Sequence, residues 1–197
     1  MVTRIRIITI GDANTGKTSC LHRYINNNFD PNIMSTIGLD YMNKKVVMDN
    51  VPYEVEVFDT CGQERFYCIT KSYYNRCSAA LIFCDVTNVN SYHHLEYWYQ
   101  ELLPYGRPII IVANKCDLPQ RVVTTSHLKL FCDNKPDILC FEASALTGHN
   151  IHEAFEEAVI KGNNWINRFF KKDQLSDIPL VSGKEFSRFN LDTCCRY

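Results

Sequence analysis

The sequence predicts an α/β fold in which a mostly parallel sheet is covered by helices. Three short, continuous apolar runs have the composition of strands that are buried on both faces of a parallel sheet. These runs are residues 79–84, 109–113 and 138–141. Segments with helical spacing of apolar residues follow them in alternation. These segments are residues 91–103, 125–132 and 150–170. Such alternation indicates parallel strands joined by right-handed crossovers.

The N-terminal part of the chain adds a strand, a helix and a hairpin. Residues 4–10 form an apolar strand, and residues 18–27 carry apolar side chains at helical spacing before a run of asparagines. Residues 39–48 and 52–58 look like two strands joined by Asp49 and Asn50, which is a hairpin signal. The hairpin implies one antiparallel edge strand in the sheet.

Length and composition indicate one globular domain with a tail. The chain has 197 residues, of which 46% are apolar, and residues 1–170 carry the regular patterns. Residues 171–197 show no clear period, and we expect them to form a flexible tail. The net charge of −1 provides no global field for nucleic acid or anionic lipid. The chain shows neither a signal peptide nor an apolar run near the roughly 18 residues of a membrane span, so we expect it to be soluble and intracellular.

The ten cysteines include no C-x-x-C pair. A secreted disulfide framework would conflict with the missing signal peptide. We therefore expect the eight internal cysteines to be small buried hydrophobic residues.

A glycine-rich loop follows the first strand and has the pattern G-x-x-x-x-G-K-T, from Gly11 to Thr18. In such loops the backbone N–H groups and the positive end of the following helix converge on phosphate oxygens. Lys17 would contact the β- and γ-phosphates, and the Thr18 hydroxyl would bind Mg²⁺. The candidate phosphate-binding residues are Ala13, Asn14, Thr15, Gly16, Lys17, Thr18 and Ser19.

Two further stretches follow buried strands and would contact a guanine base. The first is N-K-C-D, with Asn114, Lys115 and Asp117; a carboxylate at Asp117 would accept from both N1–H and the exocyclic amine of guanine. Adenine offers neither donor in that arrangement and would leave the carboxylate unpaired. The second is E-A-S-A, in which the backbone at Ser144 and Ala145 would donate to guanine O6. Phe29 either lies edge-on against the base or is a helix-terminal core residue.

Two irregular stretches carry the remaining candidate residues. Asp59 would hold Mg²⁺ through a water, and Thr36 would be a second hydroxyl ligand beside Thr18. The Gly62 N–H would sense the γ-phosphate, and Gln63 would orient an attacking water. Both stretches would then be ordered by the γ-phosphate and Mg²⁺, and released on hydrolysis.

With these motifs assembled, residues 4–170 resemble a small GTPase of the Ras superfamily, and within it the Rab family. The Rab-like segments are residues 36–41, 58–66, 69–70, 73–74 and 85–87. The resemblance implies a P-loop GTPase fold with a six-stranded sheet and five helices. It also implies a monomeric GTP/GDP switch in membrane traffic that uses Mg²⁺, effectors, an exchange factor and a GTPase-activating protein. By the same resemblance, Tyr41, Phe58 and Tyr74 match an aromatic triad that effectors contact.

The chain departs from the family pattern at several positions. Cys61 stands where the family has Ala, Phe58 where Rabs have Trp, and Leu146 where a Lys stem packs across the base. Ala13 lies near the γ-phosphate, where only small residues leave room for water. These departures leave open a GTP-dependent interaction module that hydrolyses poorly. A P-loop kinase that uses ATP is a further alternative, which the N-K-C-D stretch disfavours.

The chain ends in Thr193, Cys194, Cys195, Arg196 and Tyr197. The spacing of Cys194 fits a C-a-a-X box, although Arg196 is a poor aliphatic residue. The two adjacent cysteines resemble the double-geranylgeranyl acceptor of Rabs, and two lipid chains anchor a protein stably. We therefore expect prenylation at these cysteines, an escort protein for the tail, and a location on the cytoplasmic face of an intracellular membrane, in exchange with the cytosol.

Overall fold

The computed structural model describes residues 3–34, 36, 38–48, 50–62, 67–133, 135 and 137–175; of residues 67–69 and 169–175 it describes the backbone alone. The strands are β1 (Thr3–Gly11), β2 (Leu39–Met48), β3 (Val51–Thr60), β4 (Ala79–Asp85), β5 (Ile109–Asn114) and β6 (Leu139–Glu142). The helices are α1 (Lys17–Asn26), α2 (Tyr67–Tyr74), α3 (Val89–His93), α4 (Leu95–Leu102), α5 (Thr125–Asp133) and α6 (Ile151–Leu175), with a 3-10 turn at Leu103–Tyr105.

The six strands form one sheet in the order β2-β3-β1-β4-β5-β6. The β2–β3 pair is antiparallel, and the other four pairs are parallel. This confirms the predicted mostly parallel sheet with one antiparallel edge strand. The chain crosses from one side of β1 to the other after β3. In such sheets, ligands bind at the carboxyl ends of the strands near this reversal.

Two hydrophobic clusters cover the two faces of the sheet. Ile5 and Ile7 of β1 belong to the cluster that includes α1 and α6. Ile8 and Ile10 of the same strand belong to the opposite cluster, which includes Trp98 of α4. All four isoleucines are fully buried. Burial on both faces explains why the central strands are continuous apolar runs, and helices lie on both sides as predicted.

The predicted helix over residues 91–103 is divided in two at His94, so the described chain has six α-helices where the resemblance implied five. Asn88 caps α3 by accepting a hydrogen bond from the Asn90 N–H at 3.0 Å. The His94 N–H donates to the Asn90 carbonyl at 3.0 Å and ends this short first segment. β3 also runs further than expected, because Thr60 still pairs with Leu39. Asp59 therefore lies on a strand.

The internal cysteines largely behave as small apolar residues. Cys20, Cys61, Cys77 and Cys84 are buried, as predicted, and carry free thiols. The half-buried Cys116, Cys132 and Cys140 are also free. The expectation of burial is therefore wrong for these three positions, and the side chain of Cys68 lies outside the described part of the chain.

The last described helix, α6, ends at Leu175. Residues 176–197, including Cys194 and Cys195, lie outside the described residues. Within the described part of the chain, no helix combines the length and hydrophobicity needed to cross a bilayer.

Candidate nucleotide-binding site

A cavity of about 450 Å³ opens at the carboxyl ends of β1, β3 and β5. It brings together most of the residues that the sequence analysis selected. These are Ala13, Asn14, Gly16, Lys17, Thr18, Ser19, Phe29, Thr36, Gly62, Asn114, Lys115, Asp117, Ala145 and Leu146. The cavity is also lined by six residues that were not selected, namely Pro31, Ile33, Met34, Thr60, Cys61 and Leu118.

The loop between β1 and α1 closes around the side chain of Lys17. Its Nζ donates to the carbonyl oxygens of Gly11 at 2.9 Å and Asp12 at 2.8 Å. Gly16 has φ +88, and a Cβ there would collide with the side-chain amide of Asn114. The Lys17 side chain is buried, and burial lowers its pKa to about 8. The loop therefore holds a partly desolvated cation at the floor of the cavity.

Three side-chain oxygens converge next to this lysine. The hydroxyls of Thr18 and Thr36 lie 2.8 Å apart, and they donate to Oδ2 of Asp59 at 2.6 and 3.1 Å respectively. Oδ1 of Asp59 accepts a hydrogen bond from Thr9 at 2.9 Å, which orients the carboxylate. Hydroxyl and carboxylate oxygens are the ligands that Mg²⁺ prefers. The donor set of Thr18, Thr36 and Asp59 therefore fits this ion.

Asn114 connects the two ends of the cavity. Its Nδ2 donates to the Thr15 carbonyl at 2.8 Å, and its Oδ1 accepts from the Ala145 N–H at 3.2 Å. The Asn114 side chain is buried. One amide thus links three loops. They are the loop between β1 and α1 (residues 11–18, called the phosphate-type loop below), the N-K-C-D loop and the E-A-S-A loop. Asp117, in contrast, is exposed, and its carboxylate makes no hydrogen bond to any residue that the structure describes.

Among the described residues selected for the nucleotide and its metal, the candidate metal ligand Asp59 does not line the cavity, and neither do Thr15 and Ser144. Asp59 reaches the site through the hydroxyls of Thr18 and Thr36. Thr15 and Ser144 have a different role. Both are buried and support adjacent loops. The Thr15 hydroxyl donates to the Asp12 carbonyl at 2.9 Å, and the Ser144 hydroxyl accepts from the Thr147 N–H at 3.1 Å. Their side chains stabilise the loop conformations.

Two residues that the sequence analysis did not select hold the N-K-C-D and E-A-S-A loops in place. Arg23 of α1 donates to the carbonyls of Ala145 at 2.9 Å and Leu146 at 2.7 Å. Asp85, at the end of β4, pairs with Lys115 Nζ at 2.6 Å. Burial by itself raises the pKa of Asp85, but hydrogen bonds from Lys115 and Thr87 hold this pKa below its ordinary value. Arg23 had no local sequence signal, because its partners lie more than 120 residues away.

The stretch after β3 packs directly on the phosphate-type loop. A Cβ at Gly62 would collide with the backbone N of Ala13. The N–H of the neighbouring Cys61 donates to the Gly38 carbonyl at 3.0 Å, and the Cys61 side chain is buried. Gln63, the predicted water-orienting residue, lies outside the described residues.

The aromatic group on β2 and β3 differs from the predicted triad. The rings of Tyr41 and Phe58 are 5.7 Å apart, and the ring of Tyr73 lies 5.0 Å from Phe58. Tyr74 is only 1% exposed and packs against Tyr105. Neighbouring residues on a helix point about 100° apart, so only one of these tyrosines can face Phe58. The assignment of Tyr74 to this surface was wrong, and Tyr73 takes its place.

Comparison with known proteins places the chain in a family. The model of the Ras family matches residues 6–163. Rab7 of Drosophila melanogaster is 31% identical over 200 residues, covering 96% of this chain and 95% of its own. RabG2 of Dictyostelium discoideum is 40% identical, and the match covers 76% of this chain and 78% of RabG2. Rab-9A of Rattus norvegicus is 34% identical, and the match covers 78% of this chain and 80% of Rab-9A. The chain therefore belongs to the Ras family and is a Rab-like small GTPase of the vesicular-trafficking type.

Proposed function

We propose that the chain binds GTP and GDP together with Mg²⁺ and hydrolyses GTP slowly. The observation that carries the proposal is the convergence of Thr18, Thr36 and Asp59 beside the buried Lys17. Lys17 would contact the β- and γ-phosphates in place of its present carbonyl partners. The three oxygen-bearing residues would hold Mg²⁺, which supplies positive charge against the phosphates when bound.

Base selectivity would come from the opposite end of the cavity. Asp117 would accept hydrogen bonds from the N1–H and the amine of guanine, and the backbone of the E-A-S-A loop would face guanine O6. Adenine would place an amine against backbone donors and would leave Asp117 without donors. Asn114 would act indirectly, because its amide is used to hold the two loops together.

For hydrolysis, we assign Gln63 the orientation of the attacking water and the Gly62 N–H the contact with the γ-phosphate. The close packing of Gly62 on Ala13 supports the second assignment, because it brings this N–H to the phosphate end. The intrinsic rate would be well below one per second, and an arginine from an activating protein would raise it by roughly 10³–10⁵.

We further propose that residues 1–170 act as a monomeric GTPase domain whose partners are effectors, an exchange factor and an activating protein. Effectors would contact Tyr41, Phe58 and Tyr73 next to the two loops at the phosphate end. Lipids on Cys194 and Cys195, delivered with an escort protein, would place the chain on the cytoplasmic face of an intracellular membrane. Mass spectrometry of membrane-derived protein tests the proposed lipidation, and finding both cysteines unmodified would contradict it.

Competition between GTP and ATP for the purified protein tests the base-specific site. A preference for GTP is expected, and a preference for ATP would overturn the proposal. Single-turnover phosphate release then separates a slow hydrolase from a GTP-dependent interaction module that does not hydrolyse. In the same assay, Gln63→Leu should keep nucleotide binding and lose most hydrolysis. Unchanged turnover in this variant would contradict the water-orienting role.

A further inference from the structure

One residue of the phosphate-type loop is held from outside the cavity. Asp12 is not among the described residues that line it. Oδ1 of Asp12 accepts a hydrogen bond from Nε1 of Trp98 at 2.9 Å, and Oδ2 lies 2.7 Å from Nδ1 of His94. His94 immediately precedes α4 and Trp98 is four residues later, so the two side chains share one face of the helix. Both carboxylate oxygens are therefore bound by the start of α4.

The main chain of Asp12 has a different set of partners. Its carbonyl accepts hydrogen bonds from Nζ of Lys17 at 2.8 Å and from the Thr15 hydroxyl at 2.9 Å. The next peptide unit is packed against Gly62 so closely that no Cβ would fit there. A displacement of Asp12 would therefore shift the lysine and the peptide that face the phosphate end.

The helix that binds Asp12 is itself firmly attached to the protein. Leu95 and Leu102 are fully buried, and the indole of Trp98 is only 3% exposed. Near its C-terminal end, Glu101 pairs with Lys71 of α2 at 2.8 Å. α4 can therefore serve as a fixed support for the loop, and it also joins the loop to the helix that follows residues 63–66.

A histidine–aspartate pair on an open surface would contribute little to the stability of the contact. Solvent and salt screen the charges of exposed ion pairs, and ordering the two side chains costs entropy. Here the two partners differ in exposure: the side chain of His94 is 58% exposed, but that of Asp12 is 24% exposed. The carboxylate also receives the N–H of a buried indole, a donor that needs a partner. Hydrogen bonds to a partly buried carboxylate are among the stronger ones in proteins.

We propose that His94 and Trp98 are positioning residues of the nucleotide site. By binding the Asp12 carboxylate, they fix the position of the Asp12 carbonyl, which accepts a hydrogen bond from Lys17 and orients it. Tight binding of the β-phosphate of GDP by Lys17 would therefore depend on the side chains at the start of α4. The proposal rests on the guanine-nucleotide binding proposed above. Neither side chain touches the nucleotide.

The test compares GDP and GMP binding in the full chain and three variants. His94→Leu removes the donor to Asp12. His94→Asn restores it, because Nδ2 of asparagine and Nδ1 of histidine are both two bonds from Cβ. His93→Leu is the matched control, since His93 is the exposed neighbour that contacts Tyr92. GMP keeps the base, the ribose and the α-phosphate but lacks the β-phosphate, so its affinity reports on binding without the β-phosphate contact of Lys17.

His94→Leu should release GDP about 5- to 10-fold faster, with GMP affinity unchanged. His94→Asn and His93→Leu should both behave like the unmodified chain. Equal weakening of GDP and GMP would identify a merely structural role and overturn the proposal, as would a His94→Leu variant that retains GDP normally. If the unmodified chain binds neither nucleotide, the proposed function itself fails, and this result is distinct from the other two.

Discussion

The two ends of the cavity are built differently. At the phosphate end, Lys17 is 5% exposed and Asp59 is 1% exposed, and the polar atoms of both are bonded to neighbouring residues. At the base end, Asp117 is exposed, while Leu118 and Leu146 are 38% and 51% exposed. The polar side chains of the first end are held by neighbouring protein groups, whereas the second end presents exposed side chains that a ligand would have to cover.

The difference indicates how each end would contribute to binding. Preorganised groups cost little ordering entropy when they meet a ligand, so the phosphate end would supply most of the affinity. An exposed acceptor such as Asp117 would supply discrimination, because a ligand without donors leaves it buried and unpaired. Asn114 belongs to both ends, and changes there should affect both properties together.

Asn114→Ala should have the largest effect. It leaves the Thr15 carbonyl and the Ala145 N–H buried without partners, so the free energy of unfolding should fall by about 2–4 kcal/mol. Affinity should fall for GDP and GMP alike. Chemical denaturation and nucleotide titration measure the two effects. Asn167→Ala, at an exposed position of α6, is the control, and an equally small effect of both changes would contradict the linking role of Asn114.

Asp117→Asn should lower GTP affinity by roughly 100-fold without changing stability, because this carboxylate is exposed. An amide would place a donor against the donors of guanine. Xanthosine triphosphate carries an oxygen in place of the amine and should therefore be favoured by the variant. Asp133→Asn in α5 is the control, and unchanged GTP affinity would place base recognition elsewhere.

Nucleotide binding should take up protons, because burial lowers the pKa of Lys17 to about 8 and a bound phosphate would raise it again. The nucleotide-free protein lacks this proton increasingly as the pH rises through 8. Uptake should increase from about 0.1 proton at pH 7 to about 0.5 at pH 8 and 0.9 at pH 9. The phosphates themselves are fully ionised by pH 8. Calorimetry in buffers with different ionisation enthalpies measures uptake, and a flat profile would contradict the prediction.

Leu146→Lys should have the smallest effect. The methylene stem of a lysine can cover the face of a base while its ammonium stays in water. We expect the affinity for GDP to increase by about 2- to 5-fold, as measured by equilibrium titration. Leu130→Lys, at an exposed position of α5 that does not line the cavity, controls for the added charge. Equal changes in both variants would show that the charge, and not the stem, is responsible.

The resemblance and the local patterns were sufficient where the relevant residues are neighbours in the chain. The run from Gly11 to Thr18 was identified in full, because a strand, two glycines and a helix start are local signals. The same kind of reasoning failed at Tyr74. The sequence Y-Y contains no information on which ring faces Phe58, and this depends on the rotation of α2 against the sheet.

By itself, the sequence determined the strands, the antiparallel edge, the G-x-x-x-x-G-K-T loop and most of the residues that line the cavity. These features depend on the spacing of apolar side chains, on the backbone freedom of glycine and on side-chain chemistry, and all three can be recognised within a short segment of sequence. Only the tertiary structure decided that Arg23 supports Ala145, that Asn114 joins two loops and that Asp12 is bound by α4. The residues of such pairs lie from 31 to 122 positions apart in the sequence, and the packing of the whole sheet brings them into contact.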